Sequence, residues 1–231
     1  VTITDEDVRK AIKLKNEERQ ALKDFYSLMK LNPAPMLGGD MYKVLYGSTF
    51  KFDKEALIQE VKALTQKIKD TYDDGTPDCP KQKFGRPRIM VTGSPIGGAS
   101  EKVIKCLEDN GAQVVVFENC SGAKSVDEMV DEQNPDIYDA LARRYLNIGC
   151  SCMTPDTNRF KLMDRLIDEY QVDAVVEVVL QACHTYNVES FLIKRFVTEE
   201  KKKPYIALET DYSTSDAGQI STRLAAFLEM L

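Results

Sequence analysis

The chain lacks several features that whole classes of protein require. It has no apolar run near the roughly 18 residues that span a bilayer, and no signal peptide opens it. Its formal net charge of −6 is opposite to the basic excess of a general nucleic-acid-binding protein. Its 1 histidine follows no G-x-S-x-G elbow, so no Ser/His/Asp arrangement is indicated. We therefore expect a cytoplasmic protein that binds neither membrane nor nucleic acid.

The cysteines and the length narrow the class further. Six cysteines in 231 residues, without the loop-rich character of a small domain, do not resemble a secreted disulfide framework. The 43% hydrophobic and 29% charged content is typical of a globular protein with one large domain or two smaller ones. Because the chain begins with Val1 and runs almost directly into a helix, we expect a fragment of a longer protein.

The first 75 residues are predicted to be helical. Thr4 with Asp7 resembles a capping box that opens a helix over residues 4–31, a short helix follows at 41–45, and Asp53 caps a third. Three prolines and two glycines within residues 73–87 then mark a boundary. The predicted organisation is a helical segment (1–75), a linker (76–87) and an α/β domain (88–231).

Strands and helices alternate after residue 88. Strands are predicted at 89–92, 113–118, within Ala174–Asn187 and at 205–209, which indicates a parallel sheet with helices on both faces. Four helix starts are predicted from local signals: at Asn134–Pro135, at Thr154–Pro155, near Val188 and at Asp216. Gly111 and Gly149 are expected to close the helices that precede them.

Candidate site residues follow the strands at the carboxyl edge, where parallel sheets place their chemistry. Ser94, Gly97 and Gly98 lie in the turn GSPIGGAS after the first strand, and Glu118 and Asn119 follow the second. The glycine spacing matches a P-loop, but Ala99 replaces the phosphate-binding lysine, and the dinucleotide fingerprint also fails. These residues are consistent with contacts to a substrate; the alternatives are a packing turn for the first set and a solvated loop for Glu118 and Asn119.

The cysteines offer a second set of candidates. Cys183 follows the valine-rich strand beside His184, so a functional thiol and a buried structural cysteine are both possible. Cys150 and Cys152 form a C-x-C pair before a helix, where a thiol pKa is lowered. The same pair, with Cys183 and His184, is also a possible Cys₃His zinc site.

Four segments together resemble a known family. They are GSPIGGASEKVIKCLEDNGAQVVVFENCSG, YLNIGCSCMTPDTNR, VDAVVEVVLQACHTYNVESF and PYIALETDYSTSDAGQISTRLAAFLEML. They are similar to the carboxyl half of the 2-hydroxyacyl-CoA dehydratase subunits, with relatives among benzoyl-CoA reductase subunits and double-cubane cluster proteins. The opening DEDVRKAIKLKNEERQALKDFYSL resembles the helical segment that joins the two α/β domains of that family.

The resemblance implies a flavodoxin-like fold and a [4Fe–4S] cluster held by three cysteines. Two ligands come from an amino-terminal domain that this chain lacks, and the third matches Cys183. In that family an ATP-dependent iron–sulfur activator supplies the electron that makes a ketyl radical of the acyl-CoA substrate, and water is then eliminated. A homologous dehydratase subunit is the implied partner. A reductase or double-cubane electron-transfer protein and a non-catalytic interaction subunit are the alternatives.

Overall fold

Four parallel strands form the centre of the protein in a computed structural model that describes residues 2–95, 97–120 and 122–231. Within those ranges the sheet has the order β2-β1-β3-β4. That order is the flavodoxin-like one, in which the connections reverse direction between β1 and β3. The predicted α/β fold with a parallel sheet is confirmed. The strands are β1 (Arg88–Gly93), β2 (Gln113–Phe117), β3 (Ala174–Leu180) and β4 (Tyr205–Thr210).

The central strands are apolar because helices cover both of their faces. All six residues of β1 and all five of β2 are buried. Thr92 of β1 and Glu177 of β3 are polar exceptions, and the two residues are paired in the β1–β3 register. Two buried polar side chains side by side in the sheet need partners from the helices that cover them.

Ten α-helices, a 3₁₀ turn and a π turn surround the sheet in the described part of the chain. Right-handed crossovers place α5 and α9 on opposite faces, and α10 packs beside α5. The helical elements are α1 (Asp5–Ser27), a 3₁₀ turn (Leu28–Lys30), α2 (Gly38–Ser48), α3 (Lys54–Thr71), α4 (Pro80–Lys83), α5 (Gly97–Asp109), α6 (Ala123–Val126), α7 (Ile137–Leu146), α8 (Thr157–Glu169), α9 (His184–Arg195), a π turn (Phe196–Glu200) and α10 (Ala217–Leu228).

Several predicted helix ends are confirmed. Thr4 and Asp7 form the capping box of α1, and the Asp53 side chain accepts a hydrogen bond from Ala56 N at the start of α3. Gly111 follows α5 with φ of 90°, the left-handed conformation that glycine adopts without strain.

Two predicted helix starts, at Asn134 and Thr154, are wrong by two residues. Helix α7 begins after Asp136, whose carboxylate accepts from two backbone N–H groups, and α8 begins only at Thr157. The predicted start at Asp216 is confirmed, because Asp216 is the N-cap residue of α10, although its side chain accepts hydrogen bonds from Thr210 and Lys102 and does not cap the helix.

Two further corrections change the surroundings of the carboxyl edge. Helix α9 begins at His184, four residues earlier than predicted, so Cys183 is its N-cap residue. Gly149 does not close a helix. A Cβ atom there would lie 2.4 Å from the backbone nitrogen of Arg159, so only glycine allows this segment to lie against α8.

The amino-terminal helices pack on the sheet and share its core. Residues of α1, α2 and α3 belong to the same buried apolar cluster as all four strands. The Tyr26 hydroxyl donates to Phe117 O (2.8 Å) and accepts from Phe117 N (2.6 Å), so α1 closes the outer edge of β2. The division into residues 1–75, 76–87 and 88–231 stays a prediction. No helix among the described residues has the length and apolar character needed to cross a bilayer.

Candidate functional site at the carboxyl edge of the sheet

Ser94 and Cys183 meet where β1 and β3 end, at the switch point of the sheet. Ser94 N donates to Val178 O (2.8 Å), and Leu180 N donates to the Ser94 hydroxyl (3.1 Å). Gly93 has φ of 106°, and a Cβ atom there would lie 2.2 Å from Val178 O. Glycine is therefore required for β1 to turn this close to β3. The turn brings two sequence-predicted site residues, Ser94 and Cys183, side by side.

The Cys183 thiol is partly exposed and surrounded by hydrogen-bond donors. Its desolvation favours the neutral thiol, but hydrogen bonds from the Tyr186 and Thr185 backbone and from the Thr185 and Ser94 hydroxyls outweigh it. The pKa of Cys183 is therefore lowered from its ordinary value. A partly exposed thiol that ionises easily is suited to ligate a soft metal centre or to act as a nucleophile.

Three further cysteines lie at the same edge. The Cys120 thiol is hydrogen-bonded to the Tyr186 hydroxyl, and the Cys152 thiol to that of Cys150. That hydrogen bond and the charge of Cys150 raise the pKa of Cys152. The described residues nevertheless include no group of three or more His, Cys, Asp or Glu side chains placed to hold one metal ion. The Cys₃His zinc alternative is thus not assembled among them, and His184 is exposed.

Directly beneath this edge lies an ion cluster built around Arg159 of α8. The Arg159 side chain is 0% exposed. Its guanidinium donates to Thr92 Oγ1 (2.9 Å) and pairs with Glu118 (3.4 Å) and Glu177 (3.2 Å). It also pairs with Glu189 of α9. One side chain thereby joins β1, β3 and the end of β2 to two helices.

The partners of Arg159 are themselves held by other groups. Lys124 Nζ lies 3.0 Å from Glu118 Oε1, and the Thr92 hydroxyl donates to Glu118 Oε2 (2.5 Å). Burial acts to raise the pKa of Glu118, but the charges of Arg159 and Lys124 outweigh burial and lower it. For Glu177 burial prevails over Arg159, so its pKa is raised, and the Tyr205 hydroxyl donates to it (2.5 Å).

Asp156 adds a carboxyl group that this cluster does not neutralise. Asp156 is 9% exposed, and no N–H or O–H group of the described residues donates to either of its carboxylate oxygens. It faces Glu189, which already pairs with Arg159. Burial and the neighbouring Glu189 raise the pKa of Asp156 to about 7. The Asp156 carboxyl group therefore keeps its proton up to about pH 7.

The other residues predicted to contact a substrate differ in burial and in hydrogen-bond partners. Glu118 and Asn119 are buried at 0% and 1% exposure, and Glu118 is fully engaged in the Arg159 cluster. Gly97 accepts a hydrogen bond from the Tyr42 hydroxyl (2.8 Å), and Gly98 is exposed with open space beside it. Their contact with a substrate stays a prediction. Sequence reasoning missed Arg159 and Asp156, although Thr92, Glu118 and Glu177 in apolar strands signalled a buried cationic partner.

Comparison with known proteins identifies the family of the chain. The sequence profile of the 2-hydroxyglutaryl-CoA dehydratase D-component family (HGD-D) matches residues 1–231. The chain is 55% identical over 229 residues to the putative dehydratase subunit YjiM of Escherichia coli (strain K12), covering 99% of this chain and 58% of that protein.

Two more distant relatives show the breadth of the similarity. The chain is 26% identical over 230 residues to the (R)-phenyllactyl-CoA dehydratase beta subunit of Clostridium sporogenes, with 99% of this chain and 58% of that protein covered. It is 22% identical over 198 residues to a benzoyl-CoA reductase subunit of Thauera aromatica, with 84% and 44% covered. The chain thus spans between 44% and 58% of the length of these relatives. The predicted family is confirmed: the chain belongs to the 2-hydroxyglutaryl-CoA dehydratase D-component family.

Proposed function

We propose that this chain is part of an iron–sulfur 2-hydroxyacyl-CoA dehydratase subunit in which Cys183 is one ligand of a [4Fe–4S] cluster. The observation that carries the proposal is the placement of Cys183 at the N-cap of α9 and at the β1/β3 switch point. Its lowered thiol pKa suits thiolate ligation, because the thiolate is the form that binds iron.

The residues present fit one corner of a cluster site. A [4Fe–4S] cluster is held by cysteine thiolates, and Cys183 is a partly exposed one with its own hydrogen-bond donors. Hydrogen bonds to a ligating sulfur tune the potential of the cluster, and Ser94 and the Thr185 and Tyr186 backbone would supply them here. We propose that the remaining ligands lie in a part of the protein outside this chain, since the relatives are much longer.

The cluster, when bound, would supply a low-potential electron to the thioester carbonyl of the substrate. The residues of this chain have a different task. Arg159 and its carboxylate partners tie β1, β3 and the end of β2 to α8 and α9, which would restrict the movement of the Cys183 sulfur between β3 and α9. Such preorganisation limits the movement that a redox site undergoes in each cycle.

The proposed partners follow from the names of the relatives and from the family. Two relatives are named as single subunits of a dehydratase and of a reductase, which supports a second, homologous dehydratase subunit as partner. An acyl-CoA is the proposed substrate, because both of these relatives act on CoA thioesters by name. An ATP-dependent iron–sulfur activator is the proposed electron donor.

The cluster proposal is tested with Cys183→Ser in the full-length protein, purified without oxygen. We expect iron and sulfide content and the EPR signal of the reduced cluster to be lost, because serine is a poor iron ligand. The matched control is Cys106→Ser on α5, a buried residue whose thiol donates to Ala217 O (3.7 Å). Unchanged iron content in Cys183→Ser would refute the ligand assignment.

A reductase is the second candidate, because the chain is similar to a benzoyl-CoA reductase subunit over 84% of its length. The two functions differ in their products. The purified complex with its activator is given 2-hydroxyacyl-CoA thioesters and benzoyl-CoA in parallel. We expect formation of the 2-enoyl-CoA; reduction of benzoyl-CoA without dehydration would favour the reductase.

A further inference from the structure

A cleft of about 170 Å³ lies between α6, α7 and α8 and has no role in the proposed chemistry. Four cationic side chains line it, against two carboxylates. The cations are Lys124, Arg144, Lys161 and Arg165, and the carboxylates are Asp127 and Glu128. A concentration of positive charge is notable in a protein whose formal net charge is −6.

The charge of Arg144 is not neutralised within the described part of the chain. Arg144 is 5% exposed, and its guanidinium donates only to two backbone carbonyls, Ser125 O (2.9 Å) and Glu128 O (3.3 Å). Arg19 of α1, which is 4% exposed, lies close enough for burial and the charge of Arg144 to lower its pKa. Neither arginine forms a described salt bridge, and Arg19 Nε has no described hydrogen-bond partner. Two adjacent buried guanidinium groups without a described salt bridge therefore contribute a positive potential beside the cleft, which the Glu128 carboxylate on the cleft wall offsets in part.

The other three cations of the cleft differ in whether they already form an ion pair. Arg165 pairs with Asp127 (2.6 Å), and Lys124 pairs with Glu118 (3.0 Å) in the Arg159 cluster. Lys161 is exposed at the cleft and has no ion-pair or hydrogen-bond partner among the described residues. Lys161 is thus free to meet a ligand, while Arg144 supplies a fixed charge behind it.

We propose that this cleft binds a phosphate group of an anionic ligand, held by Lys161 and the field of Arg144. Guanidinium and ammonium groups are the side chains that recognise phosphate best, and a buried arginine contributes a charge that solvent does not screen. The cleft is also close to the cysteine edge: Gly149 in its wall precedes Cys150, and Lys124 Nζ lies 3.4 Å from the Tyr186 hydroxyl. A long ligand can therefore place its phosphates here and its other end near Cys183.

That geometry suits the phosphate-rich end of a CoA thioester. Assignment of the ligand as an acyl-CoA rests on the proposed function, whereas the phosphate site itself does not. Free phosphate or another phosphate-bearing molecule has the same chemistry, so the test separates these sources with different probes.

The test is calorimetric titration of the protein with pyrophosphate, CoA and 3′-dephospho-CoA, at about 50 mM salt, where charge interactions are little screened. We expect saturable binding of pyrophosphate, weakened about tenfold by Lys161→Ala, since one charge-assisted hydrogen bond is lost. Lys62→Ala on α3 is the matched control, because Lys62 is equally exposed and has no described partner. It should leave the affinity unchanged.

A second variant tests the buried charge. Arg144→Lys keeps one positive charge but loses the planar fork that fixes its position, and should weaken pyrophosphate binding in a protein whose circular dichroism is unchanged. If Arg144→Lys does not fold, the pair of lysine variants still decides the question.

Each outcome has a defined meaning. Tighter binding of CoA than of 3′-dephospho-CoA and pyrophosphate supports the site and assigns it to CoA. Equal binding of CoA and pyrophosphate supports a site for any phosphate-bearing ligand. Absence of saturable binding for every probe, or equal weakening by Lys161→Ala and Lys62→Ala, would overturn the proposal. Because no catalytic activity is measured, a failure of the dehydratase proposal does not affect this result.

Discussion

Arg159 is the buried cation at the centre of the ion cluster below the carboxyl edge. Its guanidinium is removed from water and surrounded by the carboxylates of Glu118, Glu177 and Glu189. Burial opposes its charge, but these three carboxylates prevail and raise its pKa, so Arg159 stays ionised. A buried ion pair of this kind is costly to break, at about 3–5 kcal/mol when one partner is removed. The geometry at the carboxyl edge therefore depends on a residue that pairs with the predicted site residue Glu118 but forms no described hydrogen bond with Ser94 or Cys183.

Asp156 makes the stability of the protein depend on pH in an unusual direction. Its pKa is raised to about 7, so between about pH 4 and pH 7 the folded state binds a proton that the unfolded state has released. Stability from this group is therefore present at low pH and lost as the pH rises through 7. Asp156→Asn keeps a neutral side chain that can donate to Glu189 and removes the titration.

We expect the wild-type free energy of unfolding to fall by about 2 kcal/mol more than that of Asp156→Asn between pH 5 and pH 8. Urea unfolding at both pH values measures the difference. Asp70→Asn on the exposed side of α3 serves as the control and should follow the wild type. Parallel pH profiles for wild type and Asp156→Asn would show that the proton is not held there.

The Cys183 thiol should ionise at a lower pH than the Cys152 thiol. The pKa of Cys183 is lowered by hydrogen bonds that outweigh its desolvation, and that of Cys152 is raised by the Cys150 thiol. Iodoacetamide labelling of the cluster-free protein, followed residue by residue with mass spectrometry, measures both profiles, because only the thiolate reacts. Ser94→Ala should move the Cys183 profile to higher pH. The exposed Ser215→Ala should not, and earlier labelling of Cys152 than of Cys183 would contradict the assignment.

Helix α1 also covers part of the outer edge of β2, a role that its amphipathic sequence does not predict. Its Tyr26 hydroxyl supplies both a donor and an acceptor to the Phe117 backbone, at the outer edge of β2. An exposed strand edge is a template for pairing with other chains, and a single hydroxyl closes it at this position.

Tyr26→Phe should lower the free energy of unfolding by about 1–3 kcal/mol, because a buried N–H and a buried C=O lose their partner. Chemical denaturation measures this loss. Tyr212→Phe is the control, since Tyr212 is 67% exposed and its hydroxyl has no described partner. Equal stability of the two variants would mean that water replaces the hydroxyl at Phe117.

The elements also show how far sequence reasoning reaches. Alternating apolar segments predicted the strands and the parallel sheet, and the carboxyl-edge rule correctly brought Ser94 and Cys183 together. The start of α9 was predicted four residues late, because Ala182 takes a left-handed φ of 65° that no turn signal announced. Arg159 was not predicted, since one arginine in an amphipathic helix looks like any exposed cation until the sheet is assembled.

For the whole molecule, the shared core means that the helical segment and the sheet depend on each other. Residues of α1, α2 and α3 fill the same apolar cluster as β2 and its neighbours. Arg88 at the start of β1 also donates to Met29 O (2.7 Å) and Leu31 O (3.0 Å) of the segment.

A piece comprising residues 88–231 alone should therefore not fold cooperatively. It would expose the apolar faces that the helices cover and would leave the Phe117 backbone groups without Tyr26. We expect poor amide dispersion in its NMR spectrum and a broad thermal transition. A sharp transition with native-like dispersion would establish residues 88–231 as an independent domain.

The close backbone contacts at Gly93 and Gly149 limit how the carboxyl edge can be re-engineered. Any side chain at Gly93 would collide with Val178 O, and any at Gly149 with the backbone of Arg159. Substitution at either glycine would shift a whole strand or helix and would not reshape a pocket. Side chains are added with less disturbance at positions with open space, such as Gly98, where a new Cβ atom would meet no neighbour within 4 Å.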